Sequence, residues 1–561
     1  MHAHRILNIP AQHHTLQQKL SRELGISVIL AQLLINRGIK DARAADDFLN
    51  AGLSQILDPF AFSDMHKAIG LIKAAVKNKD RIMVFGDYDV DGITSVVLIK
   101  SALKRMKAEA SCHLPHRIRE GYGLSKNILQ LARDSNARLL ITADCGTSSH
   151  EQIKELRKHD IEVIVTDHHE PAAAIPCASA ILNPKIQDSG YGYRDLAGVG
   201  VAYKLCQALT GEGLAEDLDL VCLGTIADVA PLTGENRVFV KEGLPRLSRT
   251  RRPGIKAMIE ASGIKGKKMT ATFVSYILGP RINASGRMDT ADTALRLLLS
   301  DSKEEADELA RTVEMYNRQR QKIENKIMEE AQGLVDKEIN FKEHKIIVIA
   351  KEGWHEGVLG IVASKLADRL YRPTILISVA EGLCKGSGRS IKTFHLFAAL
   401  LECREFLSSF GGHAHAAGLV ISKENIADFK NKINSLAKEK LQLEDLLPSL
   451  DIDMEVALDD LNEKIIAELQ ALEPFGAGNP EPLFYTRNLK LKGEPQVLSR
   501  ETLKFWVTDA RATYPAIGFG MGYFREGLIN SGNFDLVYYP RIDNWQGAES
   551  VILEVKDIFF R

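Results

Sequence analysis

The sequence predicts a multidomain α/β protein, and three observations carry that reading. The chain runs to 561 residues, several times the roughly 150 residues of a typical domain. From Arg81 to about Leu232, short apolar runs alternate with amphipathic stretches, the signature of βαβ units around a parallel sheet. Past Leu450 the pattern turns to short strands separated by Gly, Pro and Asn, as in a small β-barrel or sandwich. With 45% apolar and 26% charged residues, wholesale disorder is excluded. Lys plus Arg number 72 against 73 Asp plus Glu, a net charge of −1, so a polyanionic partner has to be met by a local basic surface.

Within the first region three strands are expected, RIMVFGD (81–87), RLLITAD (138–144) and IEVIVTD (161–167), with a helix over VVLIKSALKRMK after the first. Each buried-looking run ends in acid or imidazole: Asp87, Asp89 and Asp91, then Asp144, then Asp167, His168 and His169. A lone Asp at a strand end is commonly just a helix cap. Three such ends are different, because open α/β sheets bind ligands at the carboxyl ends of their strands and the clusters would meet in one crevice. Residues two apart in an extended segment share a side, so Asp87, Asp89 and Asp91 are expected to face it together. Asp228, closing the apolar helix in LGTIADVAPL, is placed to reach the same crevice.

Residues 301–340 contain no Pro and repeat apolar positions at threes and fours, which predicts one long connecting helix. It carries seven basic and eleven acidic residues, a poor nucleic-acid surface. Arg237–Thr270 is the opposite, ten basic to two acidic, and reads either as a solvated face or as a surface for a polyanion. HKIIVIA and PTILISVA flanking the helical GVLGIVASKLADRL predict a second, smaller α/β domain. In the final region, Phe505 and Trp506 of LKFWVTD fall on opposite faces of a strand, so one is core and the other is available to stack bases.

Several chemistries are excluded. Seven scattered cysteines without a C-x-x-C pair argue against disulfide and thiolate-zinc frameworks and for a reducing cytoplasm, and no apolar run is long enough to span a membrane. Asp87-x-Asp89-x-Asp91-Gly92 opens like a calcium-binding loop, but Leu98 stands where its twelfth-position Glu belongs. His355-Glu356 lacks the second His of a zinc-protease pair, since Leu359 takes that place. Three neighbouring carboxylates repel unless cations neutralise them. Oxygen ligands with imidazole favour Mn²⁺ or Mg²⁺, and a shared Asp bridging two ions would suit hydrolysis of a phosphate ester.

GDYDVDG (86–92), TADCG (142–146), TDHHE (166–170) and ADVAPL (227–232) resemble the four metal-binding motifs of the DHH phosphoesterase superfamily. GWHEGVLGIVASKL, GSGRS, GGHAHAAG and LEPFGAGNPEP resemble later motifs of the RecJ family of single-strand-specific DNA exonucleases, so the resemblance runs from about Phe85 to the C-terminus. It implies an N-terminal helical segment (1–45), a parallel-sheet DHH phosphoesterase domain (46–300), the connecting helix (301–340), a DHH-associated nucleic-acid-binding domain (341–445) and a C-terminal OB-fold β-barrel (446–561). Carried over by position, it makes Asp87, Asp89, Asp91, Asp144, His168 and Asp228 metal residues for two Mn²⁺ or Mg²⁺ ions, with Asp144 between them. Asp144, His168 and His169 would be catalytic, His169 touching the scissile phosphate. Arg117, Arg281, Arg287, Ser387, Arg389 and His413 would line the path of DNA phosphates.

The activity so implied is hydrolysis of single-stranded DNA from the 5′ end in repair and recombination, by a cytoplasmic monomer without membrane contact, with a single-strand-binding protein and a helicase as expected partners. Two rivals are a superfamily enzyme acting on short oligonucleotides or small phosphate compounds, and a binding protein that holds strands without cutting. The first has no evident need of an OB module; the second leaves intact carboxylates that would only repel DNA.

Overall fold

The computed structural model describes residues 5–171, 174–211, 214–543 and 550–561. Its described residues fall into two compact units, one formed by Leu57–Ala230 with Gly243–Pro448, the other by Arg5–Ile56, Pro231–Glu242 and Ser449–Arg561.

The first unit contains the expected parallel sheet. Its strands are β1 (Arg81–Gly86), β2 (Ala110–His113), β3 (Ala137–Ala143), β4 (Glu162–Thr166) and β5 (Ala180–Leu182), in spatial order β2-β1-β3-β4-β5 and parallel throughout. β1, β3 and β4 are buried on both faces, which is why they read as continuous apolar runs. Helix α1 (Val90–Arg105) follows β1, and all residues from Val90 to Ile99 are buried. It packs on the sheet and against α2 (Gly198–Thr210) and α3 (Leu218–Ala227), both rich in Val, Leu and Ala. α4 (Gly279–Met288) leads on to α5 (Lys303–Glu338), a single 36-residue helix capped by Ser302, as the periodicity predicts.

The same unit then builds a mixed sheet. β6 (Ile347–Glu352) and β7 (Thr374–Val379) are parallel and joined through α6 (Glu356–Leu370), as expected. The Gly-rich stretches beyond them also form strands: β8 (Leu383–Arg389), β9 (Leu407–Gly412) and β10 (Ala416–Ser422) extend the sheet in the order β9-β10-β8-β7-β6.

The second unit is a barrel of β11 (Phe484–Leu498), β12 (Thr502–Thr508), β13 (Thr513–Gly518), β14 (Phe534–Asp543) and β15 (Ser550–Phe560), closed by pairing of β11 with β14. Phe484, Phe505, Phe534 and Tyr538 fill its core. Ile29, Leu30, Leu33 and Leu34 of the helix Val28–Asn36, within the N-terminal helical segment, are buried in this core. Pro231–Glu242, expected inside the catalytic domain, joins the same unit. There Arg237 is 1% exposed and donates to the carbonyls of Phe48 (2.7 Å), Leu472 (3.0 Å) and Glu473 (3.0 Å). Lys241 donates to the Leu49 carbonyl at 2.6 Å, so the basic run begins with residues that tie this unit together. Among the described residues no helix is long and apolar enough to cross a membrane, and no cysteine is joined in a disulfide.

Candidate metal centre

Every metal residue expected from the sequence reaches the carboxyl edge of the parallel sheet, but not by the expected backbone. Asp87 follows β1 directly; Asp89 caps α1, accepting from the Gly92 N–H at 3.1 Å; Asp91 lies in the first helical turn. The extended stretch of alternating carboxylates is therefore corrected to a strand end, a cap and a helical turn. Asp91 takes the N–H groups of Gly198 (2.7 Å) and Val199 (2.8 Å) at the start of α2, a favourable seat for negative charge. Asp144 follows β3 with φ of 62°, a left-handed conformation that Asp tolerates better than most residues, and its N–H still continues the ladder to the Thr166 carbonyl at 2.9 Å. Asp228 ends α3.

Two groups of three ligand atoms lie within 4.8 Å of one another, Asp87–Asp89–Asp144 and Asp91–His168–Asp228, and Asp144 joins a third with His168 and His169. His168 Nε2 sits 3.1 Å from Asp144 Oδ1 and 3.7 Å from Asp91 Oδ2, while its Nδ1 is 3.9 Å from Asp228 Oδ2. Gly198 makes the approach possible: a Cβ there would stand 2.6 Å from Asp144 Oδ1.

The donor set fits divalent cations. Asp87 Oδ1, Asp144 Oδ1 and His168 Nε2 are buried without a hydrogen-bond partner, although buried polar atoms are normally satisfied. Burial, followed by the charge of Asp89, raises the carboxyls of Asp87 and Asp91, the latter to about 7. Burial and then Asp91 do the same for Asp144 and Asp228. Burial, with His169 beside it, pushes His168 down to about 3 and keeps the imidazole neutral, the form that can bind a cation. Bare, these carboxylates strain against their surroundings; cations among them would relieve both burial and mutual repulsion.

His169 is set differently. Its Nδ1 lies 2.8 Å from Asp167 Oδ1 and 2.8 Å from the Tyr122 hydroxyl. Asp167 is 1% exposed and also accepts from the N–H groups of Thr147, His168 and His169. Burial alone would raise the Asp167 carboxyl, but its hydrogen bond to and charge interaction with His169 outweigh that and lower it; for His169 the same pair outweighs burial and raises the imidazole.

Beside the acids lies a group of guanidiniums. Arg117 covers the ring of Tyr88 at 4.6 Å. Arg287 donates to the Gly357 carbonyl at 2.7 Å, and Arg389 to the Gly388 carbonyl at 2.7 Å with Ser387 Oγ 3.4 Å away. Burial lowers Arg287 to about 9, followed by repulsion from Arg117, Arg320 and Arg389, so these charges share one neighbourhood. His413 is exposed on the turn between β9 and β10, close in register to Arg389, which pairs with Ala416. Arg281 goes elsewhere: it is fixed to Glu314 Oε2 at 2.8 Å and to the Ile277 carbonyl at 2.8 Å, joining α4 to α5.

Sequence reasoning missed Tyr88, Tyr122, the pairing of Asp167 with His169, and the N–H pair of Gly198 and Val199. Tyr88 and Asp167 stand inside GDYDVDG and TDHHE, where spacing to the acids was the available signal; Tyr122 lies outside those motifs, and AGVGVA carried none.

A strand-end cluster of this composition on this sheet defines a DHH-type phosphoesterase. The DHH family N-terminal domain matches residues 81–225, the DHHA1 domain 343–439 and the RecJ OB domain 452–557. The chain is 37% identical over 543 residues to the single-stranded-DNA-specific exonuclease RecJ of Bacillus subtilis, covering 96% of this chain and 69% of the relative. To that of Dickeya dadantii it is 35% identical, covering 95% and 96%. The crystal structure of Thermus thermophilus RecJ with Mn²⁺ superposes at a TM-score of 0.85 with 28% identity, over 99% of this chain and 79% of that one; its Mg²⁺ complex gives 0.77 with 27% identity, over 99% and 78%. The chain belongs to the RecJ family.

Proposed function

We propose that the protein is a Mn²⁺- or Mg²⁺-dependent exonuclease that hydrolyses single-stranded DNA from its 5′ end. The observation that carries this is the meeting of Asp87, Asp89, Asp91, Asp144, His168 and Asp228, with unpartnered buried ligand atoms, next to Arg117, Arg287 and Arg389. In this reading Asp87 and Asp89 would hold one ion and Asp91, His168 and Asp228 another, with Asp144 near both sets. Bound cations neutralise phosphate charge and acidify a water nucleophile. Asp144 and His168 fix the ligand geometry, and His169, held at Nδ1 by Asp167, presents Nε2 to the phosphate as a proton donor. Arg117, Arg287, Ser387, Arg389 and His413 grip the phosphates near the 5′ end, where guanidinium forks give charge-assisted bonds.

The OB unit favours a polymer over a small phosphate compound, because it offers an exposed aromatic, Trp506, on a strand with Lys504. We place the enzyme in the cytoplasm as a monomer, acting on strands freed by a helicase or handed over by a single-strand-binding protein in repair and recombination. Incubating end-labelled single-stranded and duplex DNA with the protein and Mn²⁺ tests the proposal. Loss of 5′ label from single strands as mononucleotides is expected; equal attack on duplex, or release from the 3′ end, overturns it.

A further inference from the structure

Helix α1 presents Asp91 to the metal centre from its first turn; its other end, ~20 Å away at 1.5 Å per residue, opens on a cavity of about 1080 Å³. Arg246, Arg249, Arg251 and Arg252 line it from one segment, and Lys100, Lys104 and Arg105 from the last turns of α1. Four carboxylates stand against these seven cations. Asp217 and Asp219 are buried and held by Arg105 (2.8 Å to Asp217 Oδ2) and Arg252 (3.2 Å to Asp219 Oδ1). Asp301 pairs with Lys104 at 2.7 Å. Glu216 faces Arg251 at 4.0 Å, with the two side chains 89% and 91% exposed, so that pair is weak. Arg249 is exposed and, among the described residues, has no carboxylate partner. The Met269 N–H donates to Ser248 Oγ at 3.3 Å, which ties the segment of the exposed Lys267 and Lys268 to the one that carries Arg249. Pro245, Pro253 and Leu298 add apolar wall. The basic residues from Arg246 to Arg252 thus meet the last turns of α1 in one cavity, at the opposite end of that helix from Asp91.

We infer that this cavity is a second seat for the backbone of single-stranded nucleic acid, gripping a strand well beyond the nucleotides in the metal cleft. The inference rests on the single-strand reading above. Cations that run from a concavity onto open surface suit a polymer of phosphates, each contact releasing counterions on binding. A strand long enough to pass from one end of α1 to the other engages both places; a short one engages only the cleft.

The test uses the full chain and an Arg249→Glu/Arg251→Glu variant, with Arg249→Gln/Arg251→Gln as a milder partner and circular dichroism as the check on folding. Binding of 5′-phosphorylated strands of about 10 and about 60 nucleotides is measured in chelator over a series of salt concentrations. For the long strand, the slope of log affinity against log salt should become shallower by ~0.7 per lost contact, about 1.4 for the pair. Short-strand affinity, and short-strand cleavage in Mn²⁺, should stay at the parent level. A long-strand slope unchanged in both variants, or equal loss at both lengths, overturns the inference. Failure of the parent protein to cut short single strands would instead overturn the function on which it rests.

Discussion

Asp167 and His169 form a dyad, with carboxylate and Nδ1 2.8 Å apart and the Tyr122 hydroxyl 2.8 Å from the same nitrogen. Because Nδ1 is engaged, Nε2 is the nitrogen available to a substrate, and the carboxylate sets both tautomer and ring orientation. Asp167→Asn keeps an oxygen for the backbone N–H donors but loses the charge that raises His169. We expect kcat to fall by ~10²-fold, within the range for losing a positioned proton donor, with KM little changed. With His169 as the proposed donor, activity should decline as pH rises through the His169 pKa, because a donor must be protonated. In the variant that decline should come at lower pH. A pH–rate profile identical in position to the parent's would remove the dyad from the mechanism.

Gly198 and Asp144 make a second pair whose fit can be broken from either side. Asp144→Ala should abolish hydrolysis while sparing strand binding in chelator, since the residue sits among the side chains proposed to hold the cations. Gly198→Ala keeps every ligand yet places a methyl 2.6 Å from Asp144 Oδ1. It should raise the Mn²⁺ concentration needed for half-maximal activity by at least ~10-fold, as disturbed ligand support commonly does. Near-parent activity of Asp144→Ala would refute its place between two ions, and an unchanged Mn²⁺ requirement in Gly198→Ala would refute the packing argument.

The same acids predict a pH-dependent response to metal. Without cations, Asp87, Asp91, Asp144 and Asp228 have raised pKa values in the fold, about 7 for Asp91. A raised carboxyl contributes stability that is complete below its ordinary value of ~3.9 and is lost as pH climbs through the folded value. Cations take the place of those protons. The rise in Tm given by Mn²⁺ over chelator should therefore be small near about pH 5 and larger near about pH 8. A pH-independent rise would place the bound ion elsewhere.

What the sequence made legible follows from locality. Strand-then-acid runs located Asp87, Asp144, His168 and His169 because a strand end and its turn are adjacent in the chain. Asp91 was found through its motif, but not its geometry: the switch from extended backbone to helix at Asp89 depends on that residue acting as the cap. The second unit was half legible. Its barrel strands alternate visibly, yet the joining of Arg5–Ile56 and Pro231–Glu242 to it depends on packing between remote segments. Arg237 shows the limit well, since a buried Arg bonded to carbonyls of Phe48 and Leu472 and a surface Arg look alike in sequence.

Arg389 and Arg281 separate a proposed substrate contact from a structural tie. Arg389 shares its surroundings with Ser387 and Arg117, and no carboxylate holds it among the described residues. Arg389→Ala should weaken cleavage of 5′-phosphorylated strands by about 10-fold or more, as expected for losing a charge-assisted fork, and affect 5′-hydroxyl strands less. Arg281→Ala removes the tie to Glu314 and should lower Tm with KM unchanged. If Arg389→Ala affects both kinds of end equally, its end-sensing role falls.

Phe505 and Trp506 resolve the ambiguity of LKFWVTD. Phe505 is 1% exposed and faces Phe534 across the barrel core with ring centroids 6.4 Å apart, whereas Trp506 is 47% exposed and pairs in register with Lys492 and Pro515. Phe505→Ala should cost about 3–5 kcal/mol of unit stability, the usual range for emptying an aromatic core site. Trp506→Ala should leave the melting transition in place and weaken single-strand binding by about 1–3 kcal/mol, the scale of one stacked base. Because every base offers a π-face, the loss should be similar for strands of differing composition. Parent-level affinity in Trp506→Ala would show that the exposed indole meets no base, and would move the strand's path across the barrel to another face.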